Sequence, residues 1–255
     1  MSIEKETRGR IAILRLAHGK ANALDAELSQ AIIAALVEAE TNPAVAGVVV
    51  TGPAGGKIFS AGVDLIRVLD GGAAYLDDFL PALRAALERL FFFRKPVVAA
   101  VNGHAIAGGC LIAAACDRRL MARGDARIGV PERLVGVPFP AIALEILRFT
   151  VPPGRLQEVA YLGRTYLPDD AVANGLVDEV VEPDALVTRA VEAAEHLAAA
   201  PGPAFLSTKD QLRAPIRDFL VTRAPAIDAA VFEAWKSKEA HDAIRAYVEK
   251  TLKRR

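Results

Sequence analysis

The stretch that most restricts how this chain can fold runs from Val97 to Glu132, opening VVAAVNGHAIAGGCLIAAACD and closing ARIGVPE. It reads as a buried strand, a glycine turn, an apolar helix, a second strand and then an acid. Val97 to Val101 is a short apolar run behind Pro96, Asn102-Gly103 breaks it, and Gly108-Gly109 opens a segment too apolar to face water. The run approaches the length of a membrane span, but Asn102, Gly103 and the Gly-Gly pair interrupt it, which favours a buried strand-turn-helix. A helix N-terminus leaves its first N–H groups without intrahelical partners and carries a partial positive charge. The turn therefore aims free amides at whatever binds there and suits a carbonyl oxygen that becomes negative, which is half of an oxyanion hole. Taken alone, a Gly-Gly before an apolar helix also serves tight packing, so the rest of the chain has to decide.

A chain of 255 residues lies near the upper limit for a single core, which favours one main domain with a small appendage. Lys plus Arg and Asp plus Glu both number 31, so no long-range field favours nucleic acid or an anionic membrane, and an anionic ligand has to be held locally. Cys110 and Cys116 fall on one predicted buried helix, where neither a disulfide framework nor a metal-ligand spacing fits, and a reducing cytoplasm suits them. MSIEKETRGR carries charges without an apolar run behind them, so neither a signal peptide nor a transit peptide is expected.

Upstream, Ser2–Arg8 and Arg10–Leu16 straddle Gly9 and predict an opening hairpin. Asp25 is placed to cap a helix whose apolar positions Leu28, Ile32, Ile33, Leu36 and Val37 keep helical spacing until Asn42-Pro43. Val45–Gly52 then reads as a buried strand, and one helix between two strands predicts a parallel sheet and an α/β fold. In PAGGKIFSAGVDL, residues 53–65, Gly55, Gly56 and Gly62 surround Ile58-Phe59, a sign that backbone comes close to something. The loop lacks the Lys-Ser/Thr spacing of a nucleotide phosphate cradle. Gly71–Lys95 predicts a long amphipathic helix bent at Pro81. Beyond Glu132 come helices near Gly154–Leu162 and from Pro168-Asp169, a short strand in DEVVE and an alanine-rich helix over Ala185–Ala199. Pro201–Pro203 is the best linker and divides the chain into 1–200 and 201–255. Lys209–Arg255 reads as helical and ends in the basic KTLKRR, a solvated face or a segment that reaches a phosphate.

With FSAGVDL, VNGHAIAGGC and GVPE in this order and spacing, the chain resembles the crotonase superfamily, the enoyl-CoA hydratases and isomerases. The resemblance runs from KANALD to EAWKSKEAHDAIRAYVEK. It implies a crotonase-like spiral of ββα units over residues 1–200, carrying a CoA-thioester site, and a C-terminal helical trimerisation region over 201–255. It implies a homotrimer or hexamer acting on an acyl-CoA thioester, with coenzyme A as part of the substrate and no metal or redox cofactor. It also implies the site. The N–H groups of Val63, behind Ala61-Gly62, and of Gly108 form the oxyanion hole, and Glu132, after Pro131, is the general acid/base. The CoA moiety lies along Lys20, Ala21 and Ala23 and beside Asp64 and Leu65. His104 stays outside the catalytic set.

Two departures bear on the reaction. Hydratases of the family carry a glutamate directly after the cysteine of the GGC turn and a glycine eight residues past the position of Glu132; here these are Leu111 and Pro140. Proline has no N–H, so two of three water-holding groups are missing. A single carboxylate still suffices to take a proton from C2 and return it at C4, so the resemblance is greatest to 3,2-enoyl-CoA isomerases. The alternatives are a hydratase with a carboxylate from elsewhere, a hydrolase or decarboxylase using the same hole, and a non-catalytic CoA-binding scaffold. Neutral charge and the lack of an aromatic-basic stripe speak against an RNA-associated scaffold. The acyl-pocket wall is expected from Ile66–Leu80. Phe219, Leu220, Phe232, Trp235 and Tyr247 are expected to lack cover within one chain and to find it on other subunits.

Overall fold

A computed structural model describes residues 2–251 of the chain. β1 (Ile3–Arg8) and β2 (Ile11–Leu16) form the expected antiparallel hairpin, turned by Gly9 at φ +56°. α1 (Ala26–Thr41) begins at Asp25, whose carboxylate accepts from the Leu28 N–H, and it leads into β3 (Gly47–Thr51), parallel to β2. From β3 the chain repeats one unit: a long buried strand, a short strand in a second sheet, then a helix. β3 is followed by β4 (Ile58–Ser60) and α2 (Leu65–Phe91), and β5 (Val97–Val101) by β6 (His104–Ile106) and α3 (Gly108–Ala115). The third unit is β7 (Arg118–Ala122), β8 (Ile128–Gly129) and α4 (Glu132–Val135). α5 (Ala141–Thr150), α6 (Pro153–Leu162), β9 (Thr165–Tyr166), α7 (Pro168–Ala173), β10 (Glu179–Val181) and α8 (Leu186–Ala198) complete the spiral. The large sheet runs β1-β2-β3-β5-β7-β10 and the small one β4-β6-β8-β9.

The apolar runs become strands with both faces covered, the situation in which a strand loses its polar alternation. Val48, Val50, Val97, Ala99 and Val101 face the core shared with α1, α2 and α3. Val49, Val98 and Ala100 point the other way, onto Ala190 and Ala194 of α8. The short strands β4, β6 and β8 could not be placed from residue patterns, although the ββα units implied by the resemblance call for them. At two or three residues they fall below any readable periodicity.

Two further expectations are corrected. Helix α2 begins at Leu65 and breaks at Gly72, whose φ of 57° and ψ of −149° no helix contains, while Pro81 sits inside the helix after that break. The C-terminal helices α9 (Ala204–Thr222), α10 (Ala224–Lys236) and α11 (Lys238–Thr251) fold back onto their own chain. Leu220 and Trp235 are buried, and Phe219, Phe232 and Tyr247 pack against the same core, so these five residues have cover without a second subunit. Asp117 ties α9 down: its carboxylate meets Lys209 at 2.8 Å and Arg213 at 3.0 Å, all out of water, and accepts from the Val97 N–H. The reading of KTLKRR falls mostly on residues 252–255, outside the described residues. Among the described residues no helix is long and apolar enough to cross a membrane.

Candidate active site

Val63 lies in the short loop between β4 and α2, and it is held by Leu24 from the loop before α1. The two form an isolated parallel bridge: the Leu24 N–H donates to the Gly62 carbonyl at 2.7 Å, and the Asp64 N–H donates to the Leu24 carbonyl at 2.9 Å. In this pattern Leu24 engages the residues flanking Val63, so the N–H of Val63 itself faces the opposite side. It has no acceptor among the described residues.

Gly108 opens α3, and its N–H likewise has no acceptor among the described residues, as expected of a first helical residue. Ala107 before it is held at φ 52°, ψ −121°, a strained backbone for a residue with a side chain, and this twist sets the direction of the next amide. The two donors are brought together by close backbone contact. A Cβ on Gly62 would lie 2.6 Å from the Ile106 carbonyl oxygen, 2.8 Å from the Ala107 Cβ and 3.3 Å from the Gly108 nitrogen. A Cβ on Gly108 would lie 2.5 Å from Leu24 Cδ1. Glycine is needed at Gly62 both for space against backbone and for its φ of 85°, whereas at Gly108 the near atom is the end of the Leu24 side chain.

Both amides border one apolar chamber, and Glu132 at the start of α4 borders it too. Glu132 is 7% exposed, and its Oε2 has no hydrogen-bond partner among the described residues. Burial pushes its carboxyl up to about 8 from the ordinary 4.5, with its own backbone N–H opposing the shift. Among the described lining residues it is the only carboxylic acid, the rest being chiefly aliphatic with Trp235 and Tyr247. Two unpartnered N–H donors and one proton-carrying carboxylate lining the same chamber can hold a developing oxyanion while a neighbouring carbon loses or gains a proton. Cys110 and Cys116 contribute no nucleophile, since burial raises both thiols well above their ordinary range.

Of the residues expected at the site, Ala61, Leu65, Leu111, Pro131 and Pro140 border the chamber with Val63, Gly108 and Glu132. Ala21 meets the site through its carbonyl, which accepts from the Ala61 N–H at 3.0 Å, and Ala23 is half-buried next to Leu24. The Asp64 carboxylate caps α2 by accepting from the Ile66 and Arg67 N–H groups. Lys20 is exposed and borders neither the chamber nor the groove outside it. His104 lines that outer groove; its Nδ1 accepts from the Arg127 N–H at 3.0 Å. The expected wall, Ile66–Leu80, is corrected: none of it borders the chamber, because the helix beyond Gly72 presents Leu83 and Leu87 there instead. Val135, Val137, Ala143, Trp235 and Tyr247 complete the wall and carry no local motif by which sequence could mark them.

A ββα spiral with two free amides and a buried acid on one chamber defines the class, that of the crotonase-superfamily enzymes. A profile of the enoyl-CoA hydratase/isomerase family matches residues 6–254, and the chain belongs to that family. It is 29% identical over 250 residues to the mitochondrial enoyl-CoA delta isomerase 1 of Rattus norvegicus, covering 97% of this chain and 86% of the relative. It is 30% identical over 249 residues to the short-chain-enoyl-CoA hydratase of Clostridium acetobutylicum, covering 97% and 94%. Its fold is similar to the crystal structure of human mitochondrial delta3-delta2-enoyl-CoA isomerase, with a TM-score of 0.93 at 26% identity and full coverage of both chains. The activity of this family is on CoA thioesters.

Proposed function

We propose that the protein is an enoyl-CoA isomerase that moves a double bond from position 3 to position 2 of an acyl-CoA thioester. The observation that carries this reading is that Glu132 is the single acid among the described residues lining the chamber. The thioester oxygen accepts from the Val63 and Gly108 N–H groups. Glu132, as carboxylate, takes the proton from C2; the electrons pass into the thioester as an enolate held by the two donors; and the Glu132 carboxylic acid returns the proton at C4. An acid with a carboxyl near 8 suits both halves, since its proton is neither released too readily nor held too tightly near neutral pH.

Hydration would need a second group to hold water, and the site offers none where the family's hydratases have one. Leu111 is apolar, and Pro140 has no N–H. The next amide along, that of Ala141, is already bonded to the buried Asp228 carboxylate at 2.8 Å. Incubation with a 3-enoyl-CoA should therefore give the conjugated 2-enoyl-CoA, read by its ultraviolet absorbance. Failure to form it in folded protein would sink the reading.

The chain is also proposed to act as a homotrimer or hexamer through the helices after Pro203. Leu212, Val221 and Ile227 on α9 and α10 remain exposed and support this. Light scattering decides it, and a monomer would contradict it.

A further inference from the structure

We propose that Trp235 is the floor of the acyl chamber and restricts the enzyme to short-chain acyl thioesters. This rests on the acyl-CoA reading above and adds the size of the acyl group.

Two connected spaces meet at the site, an inner chamber of about 60 Å³ and an outer groove of about 740 Å³. Ala61, Ile106, Pro131 and Tyr247 border both and so mark the passage between them. Val63, Gly108 and Glu132 border only the inner space, so a thioester held by the two amides has already passed that entrance. Its acyl chain then has only the inner space to occupy. Leu83, Leu87, Ala143 and Trp235 line that space and not the groove. Trp235 is the largest of them, and it comes from α10, the last helix but one.

The indole is fixed. It is 3% exposed, and its Nε1 donates to the Pro138 carbonyl at 2.9 Å. The helix that carries it is pinned as well: Asp228 on α10 accepts from the Ala141 N–H and pairs with Arg84 at 3.1 Å. Those contacts join α10 to α5 and α2, the helices that supply Ala143 and the two leucines. Swinging the ring aside would leave a buried N–H without a partner, so a longer acyl chain meets a wall that does not yield.

The test is calorimetric titration with saturated acyl-CoAs from butanoyl to dodecanoyl, which cannot isomerise, against wild type, Trp235→Ala and Trp235→Leu. Wild type should bind butanoyl- and hexanoyl-CoA best and lose about tenfold by decanoyl-CoA. Trp235→Ala should reverse the order, gaining about fourfold for each methylene newly accommodated. Trp235→Leu should fall between the two and keeps an apolar side chain in place should the alanine variant not fold. Wild type that binds decanoyl-CoA as tightly as butanoyl-CoA would overturn the size limit while leaving thioester binding intact. Variants that weaken every length equally would do the same. No binding at any length would remove the thioester reading, and the size limit with it.

Discussion

Leu24 and Val63 lie opposite each other in a bridge that leaves the Val63 amide free, while the Leu24 side chain fills the space beside Gly108. One residue thus touches both donors of the site. Its own position is set by its neighbours in the loop. Asn22, at φ 46°, donates to the Phe59 carbonyl and accepts from the His18 N–H. Asp25 meets the Leu28 N–H, the His18 ring at 2.8 Å and Arg67 at 2.8 Å. The loop before α1 therefore fixes the spacing of the two amides, whatever contact it also makes with a ligand.

Gly62→Ala tests that spacing. The added methyl would overlap the Ile106 carbonyl and the Ala107 Cβ, and alanine resists a φ of 85°. The expected result is displacement of the Val63 amide from Gly108, with kcat down by about 10² to 10³ if one donor is lost. Thermal denaturation in parallel should show folded protein. Unchanged kcat in folded Gly62→Ala would place the hole elsewhere.

Glu132→Gln keeps the size of the side chain and removes its ability to carry the proton. Turnover should vanish while the Kd for a saturated acyl-CoA changes little. In wild type, kcat/KM should rise with pH and level off above about 8, the value to which burial pushes the free carboxyl. A profile flat from about pH 6 to about pH 9 would mean that another group accepts the proton.

The same burial has a consequence for stability. Between the ordinary 4.5 and about 8 the unfolded chain releases the Glu132 proton while the folded chain retains it. The stability that protonated Glu132 contributes is thus complete below 4.5 and is lost as pH rises through about 8. Glutamine does not titrate, so Glu132→Gln should gain on wild type over that window, by an amount on the order of a few kcal/mol at its upper end. Urea denaturation of both proteins at pH near 5 and near 8 measures it. An equal difference at the two pH values would show that Glu132 is ionised in the folded protein.

Asp117 is the counter-charge for two cations that have left water. Removing it by Asp117→Ala leaves Lys209, 6% exposed, and Arg213, 4% exposed, facing each other without an anion. The expected cost is about 3 to 5 kcal/mol, read from denaturant midpoints. A loss below about 1 kcal/mol would show the pair to be solvated.

How far the sequence reached follows from where each part of the site lies. Val63, Gly108 and Glu132 were legible because each is, or follows, a glycine or proline that marks a backbone requirement, and because the motifs carrying these marks stand in the order and spacing of the family the chain resembles. The hairpin around Gly9 and the cap at Asp25 were legible for the same local reason. The far wall was not. Trp235 and Tyr247 come from the other end of the chain and look like any aromatic residue on an amphipathic helix, so nothing local tied them to the chamber. Pro81 drew attention as the bend, yet Gly72 makes it, since a positive φ stops a helix more completely than a missing N–H does. Leu24 was invisible as a positioning residue because its role lies in its backbone.

The choice of isomerase over hydratase turns on two absences, and restoring both is the sharpest test of it. Wild type should convert a 3-enoyl-CoA to the 2-enoyl-CoA and stop, with negligible 3-hydroxyacyl-CoA by chromatography. Leu111→Glu together with Pro140→Gly returns a carboxylate to α3 and an N–H to the other wall, next to the Ala141 amide that Asp228 occupies. The double variant should hydrate measurably, and by more than the two single variants together, because groups that hold one water act as a unit. A second carboxylate in an apolar chamber beside Glu132 will have a raised pKa and will cost stability, so retention of fold has to be measured first. If folded wild type already forms the 3-hydroxy product at a rate rivalling its isomerisation, Leu111 and Pro140 do not prevent water from being held, and the site works as a hydratase by another carboxylate.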